Sequence, residues 1–353
     1  MPRVTFANQK KPFFNSINDR VEEYFYEKKL KKTGNKKLYV KTLILITGAL
    51  MIYIVLLTIH VNPFMGVALC VLLGFLQATI GFNVMHDANH GSFSERKWVN
   101  NLMGFSANIM GINMWLWKQK HNIIHHTYTN IDGVDIDLAK APFLRMCPSQ
   151  KQLKVHRFQH IYCIPLYALT SLMMIFVSEF LNFFRKKIQG TKLQKMKISE
   201  KYVFWISKAV YVFFFIALPA LIWGIVPAII GFTAMHVALG IILAIVFQLA
   251  HVVEATQFVD ANVVRIEDEW AVHQVQTTAD FATDNKIISW FTGGLNFQVE
   301  HHLFPKISHV HYPAIHKILK EDCDKFSIRL NDYPTMTAAF LSHLRFLKQL
   351  GAN

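Results

Sequence analysis

The chain has 353 residues, 52% of them hydrophobic and only 17% charged, with a net charge of +14. The apolar residues come in long runs instead of alternating with polar ones, which argues against a soluble globular protein. The positive charge sits beside those runs and not on a separate basic domain, so it points to cytoplasmic loops and anionic lipid headgroups and away from nucleic acid.

Residues 1–41 form a basic segment of cytosolic character, with eleven Lys or Arg and no short apolar core of a cleavable signal. Two apolar runs follow, 42–60 and 64–85, broken at Asn62-Pro63. Each approaches the ~20 residues that cross a bilayer as helix. The turn between them carries no charge, so the pair reads as a hairpin whose tip faces away from the cytosol. A second such pair, 203–223 and 225–250, has its uncharged tip around Gly224 and Pro227, and Lys208 inside its start is expected to snorkel to the interface. The apolar run 161–184 has basic flanks on both sides, which conflicts with crossing, so it reads as lying in the cytosolic interface. The stretch 101–117, ending in Trp115 and Trp117, reads the same way. Four spans put every histidine motif on one side; a fifth would separate the last motif from the first two. The four cysteines, Cys70, Cys147, Cys163 and Cys323, form no CxxC pair or disulfide framework. No internal repeat is visible. The predicted fold is an all-α integral membrane protein with a single domain over 1–353. Two transmembrane hairpins would be joined by interfacial helices and a cytosolic cap that carries the histidine motifs.

Of the 17 histidines, seven fall into three groups: His86 and His90; His121, His125 and His126; His301 and His302. On a helix, i, i+4 spacing stacks His86 over His90 and His121 over His125, so each pair can chelate one ion. The adjacent pairs His125-His126 and His301-His302 point apart and can straddle two ions. An imidazole site suits iron, copper, nickel or zinc, not calcium or magnesium, and seven or eight ligands exceed the four of one structural zinc. A single HxxxH is a weak signal, often no more than polar groups near a membrane surface; three dense groups at the ends of apolar hairpins are a strong one.

The runs HDANHGS, HNIIHHTYTN and GGLNFQVEHHLFP resemble the three histidine boxes of membrane fatty acid desaturases. Gln298 stands where many desaturases open the third box with histidine, which resembles the front-end subgroup. That subgroup places a cis double bond between an existing one and the carboxyl end. The runs AHVVEATQF, HQVQTTADFA and ISHVHYPAIHKI resemble bacterial acyl-CoA (linoleoyl-CoA-type) desaturases, so the resemblance covers most of the chain. It implies that His86, His90, His121, His125, His126, His301 and His302 ligate two irons, with His251 as an extra ligand outside the boxes. Gln298 would sit beside the ligands; Asp87, Asn89, Asp135 and Glu300 are either groups that orient imidazoles through their free N–H or plain surface and loop residues. His273 is a candidate ninth ligand, although a role outside the coordination sphere is preferred. His156, His160, His309, His311 and His316 read as interfacial, surface or structural residues; His60 and His236 receive no role.

The implied reaction uses O2 and an external electron donor of the ferredoxin or cytochrome b5 type, since no HPGG-like haem module is present. It takes two hydrogens from neighbouring methylenes of an acyl-CoA or acyl-lipid substrate. The competing readings are an acyl hydroxylase or ketolase on the same metal core, a membrane metal-handling or transport protein, and a lipid-interaction protein without chemistry. A bacterial inner membrane is the expected location, with membrane lipids as surroundings.

Overall fold

A computed structural model describes residues 4–6, 10–140 and 142–352; residues 1–3 and 7–9 of the basic segment lie outside them. Among the described residues, four helices are long and apolar enough to cross a membrane: Lys36–Thr58, Pro63–His90, Ile198–Trp223 and Ile225–His251, called spans 1 to 4. Much of their side-chain surface faces outward, with Leu43, Leu50, Leu221 and Ile225 all exposed, as lipid-facing residues would be.

The helix starts follow local chemistry. Asn35 caps span 1 by accepting from the backbone N–H of Lys37 and Leu38. Asn62 caps span 2 through Met65 N–H, and Pro63 occupies a first-turn position where its missing N–H is not needed. Spans 1 and 3 begin earlier than their apolar runs suggest, at Lys36 and Ile198, because polar residues can complete a helix whose apolar part is already fixed. Span 2 runs on past the expected residue 85, through a π-helical turn at Gly81–Met85, to His90.

Close approach of spans 2 and 4 sets the geometry of everything at their ends. A Cβ on Gly74 would fall 2.2 Å from the carbonyl oxygen of Met235, so only glycine fits there. The tips of the two helix pairs also touch: Trp223 Nε1–H donates to the Leu56 carbonyl at 2.7 Å, and the His60 and Trp223 rings meet edge to face. With the tips together, His86 and His90 of span 2 and His251 of span 4 come together at the other end.

The run expected at 161–184 is two helical stretches, Lys154–Ala168 and Thr170–Arg185, bent by 62°. Span 4 packs closely on it, for a Cβ on Gly240 would lie 2.5 Å from the Ala168 carbonyl. The 101–117 stretch is three short helices, Lys97–Gly104, Ser106–Ile109 and Met114–Lys118. The N-terminal helix Pro12–Glu27 repeats apolar residues at helical spacing, and Phe13, Ile17, Val21 and Phe25 bury against Ile315 and Leu319 of helix Tyr312–Lys325. Short two-residue strands tie the remaining segments, including Asp280–Phe281 paired in parallel with Asp332–Tyr333.

Lys208 corrects the sequence expectation. It does not snorkel. Its ammonium is buried and donates to Glu179 Oε2 at 2.6 Å, to the Gly111 carbonyl at 2.6 Å and to the Ile175 carbonyl at 2.8 Å. Glu179 in turn accepts from Asn113 N–H at 2.8 Å. A buried ion with several partners is held more firmly than one stretched toward water, and this one joins span 3 to the bent pair and to the 111–113 turn. Removing one member strands the other: Lys208→Met is expected to cost roughly 3–5 kcal/mol and lower the thermal midpoint in detergent. Lys208→Met combined with Glu179→Leu should lose less than the sum of the two single changes. A Lys208→Met protein that melts with the wild type would contradict this assignment.

Candidate metal centre

The second histidine group lies on a π-helical segment, Gln119–His125, in which His126 N–H bonds the His121 carbonyl five residues back. That winding puts residues five apart on one side. His121 and His126 therefore face each other, with Nε2 atoms 3.3 Å apart. His125 turns toward a different set of partners. The two rings expected to share one face at helical spacing, His121 and His125, thus fall into different groups because of the π winding.

The histidines sort into two groups. His86, His90, His121 and His301 each bring a ring nitrogen within 4.8 Å of the others. His86 Nε2 and His121 Nε2 lie 3.0 Å apart. His125, His251 and His302 form a second group with the same spread. The adjacent pair His301-His302 contributes one ring to each. His126 stands between them, its ring 4.6 Å from that of His301 and 4.5 Å from that of His302. Gln298 completes the second group: its Nε2 lies 3.0 Å from His251 Nε2 and 3.3 Å from His302 Nε2. An amide can present either nitrogen or oxygen at that point by a half-turn.

These residues fit a pair of metal ions. Ring nitrogens of His90, His125, His126, His251 and His301 are buried with no hydrogen-bond partner. Burying polar atoms unpaired is costly, and a cation that takes their lone pairs removes the cost. Burial, then repulsion among neighbouring imidazoles, holds His121, His126, His301 and His302 well below the usual histidine range. They are therefore neutral, the form that binds metal. For His125, burial also acts downward, but the adjacent Asp135 carboxylate and its hydrogen bond outweigh it and raise the group.

A surrounding layer sets which nitrogen faces inward. His125 Nδ1 meets the two oxygens of Asp135 at 3.1 and 3.2 Å, and Asp135 is itself fixed by backbone N–H groups of Asn130 and Asp137. His302 Nδ1–H donates to Gln274 Oε1 at 2.7 Å, and Thr129 donates to the same oxygen. His301 Nδ1 meets the Tyr312 hydroxyl at 3.2 Å. In each case Nε2 is left for the centre. The Trp117 ring packs 4.4 Å from that of His121 and also covers His86 and His90, so it forms an apolar wall here instead of lying in an interface.

Three residues expected to orient box imidazoles do something else. Asp87 accepts from Ser308 Oγ at 2.7 Å and from His309 Nδ1 at 3.0 Å. Asn89 donates to the Gly104 carbonyl at 3.4 Å. Glu300 meets His316 at 2.8 Å. Each sits one helical position from a box histidine and so points away from the ligand face. His273 Nε2–H donates to the Thr129 carbonyl at 2.8 Å, outside both groups. His156 is buried against Leu153 N–H and the Pro142 carbonyl, so it is a local structural residue instead of an interfacial one. Sequence reasoning missed Trp117, Thr129, Gln274 and Tyr312 as parts of the site. Thr129 and Gln274 fall inside the runs HNIIHHTYTN and HQVQTTADFA, but nothing in their residue type marks them.

Residues 62–334 match the model of a family described as fatty acid desaturase. Among curated proteins, the sn-1 linoleoyl-lipid 6-desaturase of Synechocystis sp. is 36% identical over 352 residues, covering 99% of this chain and 98% of that protein. A protein of the same name from Arthrospira platensis is 33% identical, covering 99% of this chain and 95% of that one. The acyl-lipid (8-3)-desaturase of Physcomitrium patens is 34% identical over 96% of this chain and 72% of its own length.

Asp135→Asn removes the charge that holds His125 while keeping its shape. It is expected to weaken metal binding by about 10–100-fold, with one of two ions lost first in a chelator titration followed by metal analysis. Identical titration curves for variant and wild type would exclude Asp135 from this role.

Proposed function

Since the chain belongs to the fatty acid desaturase family, and is therefore an oxidoreductase acting on fatty acyl chains, we propose that it is an O2-dependent front-end desaturase of acyl lipids that uses a histidine-held di-iron centre. The carrying observation is the paired arrangement of the eight imidazoles, four in one group, three in the other and His126 between, with Gln298 filling the remaining place. Two iron ions bound there would supply the activation of O2: with two electrons and two protons, two neighbouring methylenes become a cis alkene and both oxygen atoms leave as water.

The chain's own part is to hold and to shield. His86, His90, His121 and His301 would hold one ion and His125, His251 and His302 the other, with His126 between them. Asp135, Gln274 and Tyr312 keep the Nε2 atoms of His125, His302 and His301 turned inward. Trp117 excludes water on one side of the first group. Such preset geometry lets one methylene pair meet the oxidant. Gln298 touches His251 and His302, and it supports the front-end reading together with the names of the relatives. Those names favour an acyl lipid over acyl-CoA and the 6-position of a linoleoyl chain. The basic residues near the histidine-bearing ends of the spans favour a cytosolic centre in a bacterial inner membrane. There a separate ferredoxin or cytochrome b5-type carrier would deliver electrons.

Expression in a host that makes linoleoyl lipids but lacks this desaturation tests the reading. A new trienoyl chain with its added cis bond at the 6-position, absent in a His301→Ala control, is the expected result. A hydroxylated product would instead place the protein in the hydroxylase branch. Purified protein with no bound iron would overturn the metal-centre reading itself.

A further inference from the structure

The third box rests on a helix of only six residues, Gln298–Leu303. So short a helix has little stability of its own, yet it supplies one ligand to each histidine group. Its hold comes from outside. Asp280 Oδ1 accepts from Val299 N–H at 2.9 Å, fixing the first turn. Helix Tyr312–Lys325 presents two side chains one turn apart: Tyr312 to His301 Nδ1, and His316 to Glu300 Oε1 at 2.8 Å.

Around His316 the charges are unbalanced. Asp280 and Glu300 are fully buried. Asp280 and Asp332 are register partners in the short parallel strand pair, so their carboxyl groups share one neighbourhood, and burial, then the nearby Glu300, pushes Asp280 well above the usual carboxylate range. One imidazole faces these three acidic side chains. His316 Nδ1 lies 2.8 Å from Glu300 and 3.3 Å from Asp280, and its Nε2 lies 3.5 Å from Asp332. Asp280 Oδ2 and Glu300 Oε2 are both buried without a hydrogen-bond partner, so these side chains have no surplus of donors to fall back on.

We infer that His316 is a positioning residue for the metal centre: a fixed imidazolium whose charge binds Asp280, Glu300 and Asp332 together and so clamps the third-box helix, with His301 and His302, in place. This rests on the di-iron reading given above. Burial would push the His316 ring down, but the acidic groups of Asp280, Asp332 and Glu300 around it push it up to about 12, so the charge persists through the physiological range. His316 touches no ligand imidazole in the structure; its effect runs through Glu300 and Asp280. Because His301 and His302 belong to different groups, releasing this helix weakens both ions at once. Loss of Asp135, by contrast, acts on one.

Iron per chain, measured on purified full-length protein across a chelator titration, tests the assignment with His316→Gln and His316→Lys beside the wild type. His316→Gln keeps a hydrogen-bond donor without the charge, and both irons should be released together at about tenfold lower chelator than in the wild type. His316→Lys restores the charge and should retain two irons within about twofold of the wild-type midpoint; this holds also if His316→Gln fails to fold. Wild-type retention in His316→Gln, or equal loss or misfolding in both variants, would overturn the role of the charge. A third metal ion in the wild type that disappears in His316→Gln would overturn it in favour of a cation site at Asp280, Glu300 and His316. Wild-type protein without iron would instead sink the metal centre on which the inference depends.

Discussion

The structure is organised around a group of converging imidazole nitrogens. His86, His121 and His126 bring Nε2 atoms to 3.0 and 3.3 Å along a chain of contacts, in a buried place. Neutral imidazole carries one donor and one lone pair, so such a convergence cannot be satisfied by the rings alone. Either the rest of the protein forces it or a cation completes it. The fold does the first, through glycine-close packing of spans 2 and 4 and two π-helical stretches, and its chemistry suits the second.

Around the imidazoles lies a graded set of supports. Nearest is a different partner for each Nδ1: a carboxylate for His125, an amide oxygen for His302, a phenol for His301. These partners differ in strength. A carboxylate makes its imidazole more basic and more electron-donating than an amide or a phenol does. The two histidine groups are therefore unequal twice over: the second has the carboxylate-backed His125 but only three histidines, with the Gln298 amide in the fourth place. Farther out, acidic side chains carry the supports. Asp87 is held by Ser308 and His309, and Glu300 by His316. Segments distant in sequence are thereby fastened to the boxes.

Much of this was legible in the sequence because it depends on patterns that survive without tertiary context. Uncharged runs mark helices that must lie in lipid, and histidines packed so densely beside them are costly to bury unless a metal takes their lone pairs. What was not legible depended on winding and on partners. A π turn leaves no reliable sequence mark, so HNIIHH reads as an i, i+4 pair when the fold uses His121 with His126 and sends His125 elsewhere. Asp87 and Glu300 look like natural supports for adjacent histidines, but neighbours in a helix diverge, and their partners come from residues 308, 309 and 316. Lys208 looks like an interfacial lysine because its acid, Glu179, lies in a segment that nothing local connects to it.

The buried ionisable groups away from the boxes bear on what kind of membrane protein this is. A transporter would place such groups within its spans to meet a passing ion. His236, inside span 4, has its Nδ1 2.9 Å from Ser171 Oγ and its Nε2 2.8 Å from Tyr211 OH, so both nitrogens are committed to holding helices together. Lys208 and Glu179 are likewise committed to each other and to backbone groups. His236, Lys208 and Glu179 thus act as joints, while five of the box and span-end histidines, His90, His125, His126, His251 and His301, each keep a buried ring nitrogen without a protein partner at the far end of spans 2 and 4. That separation suits chemistry on an apolar chain: the spans present apolar side chains outward, and the imidazoles gather at one end of them.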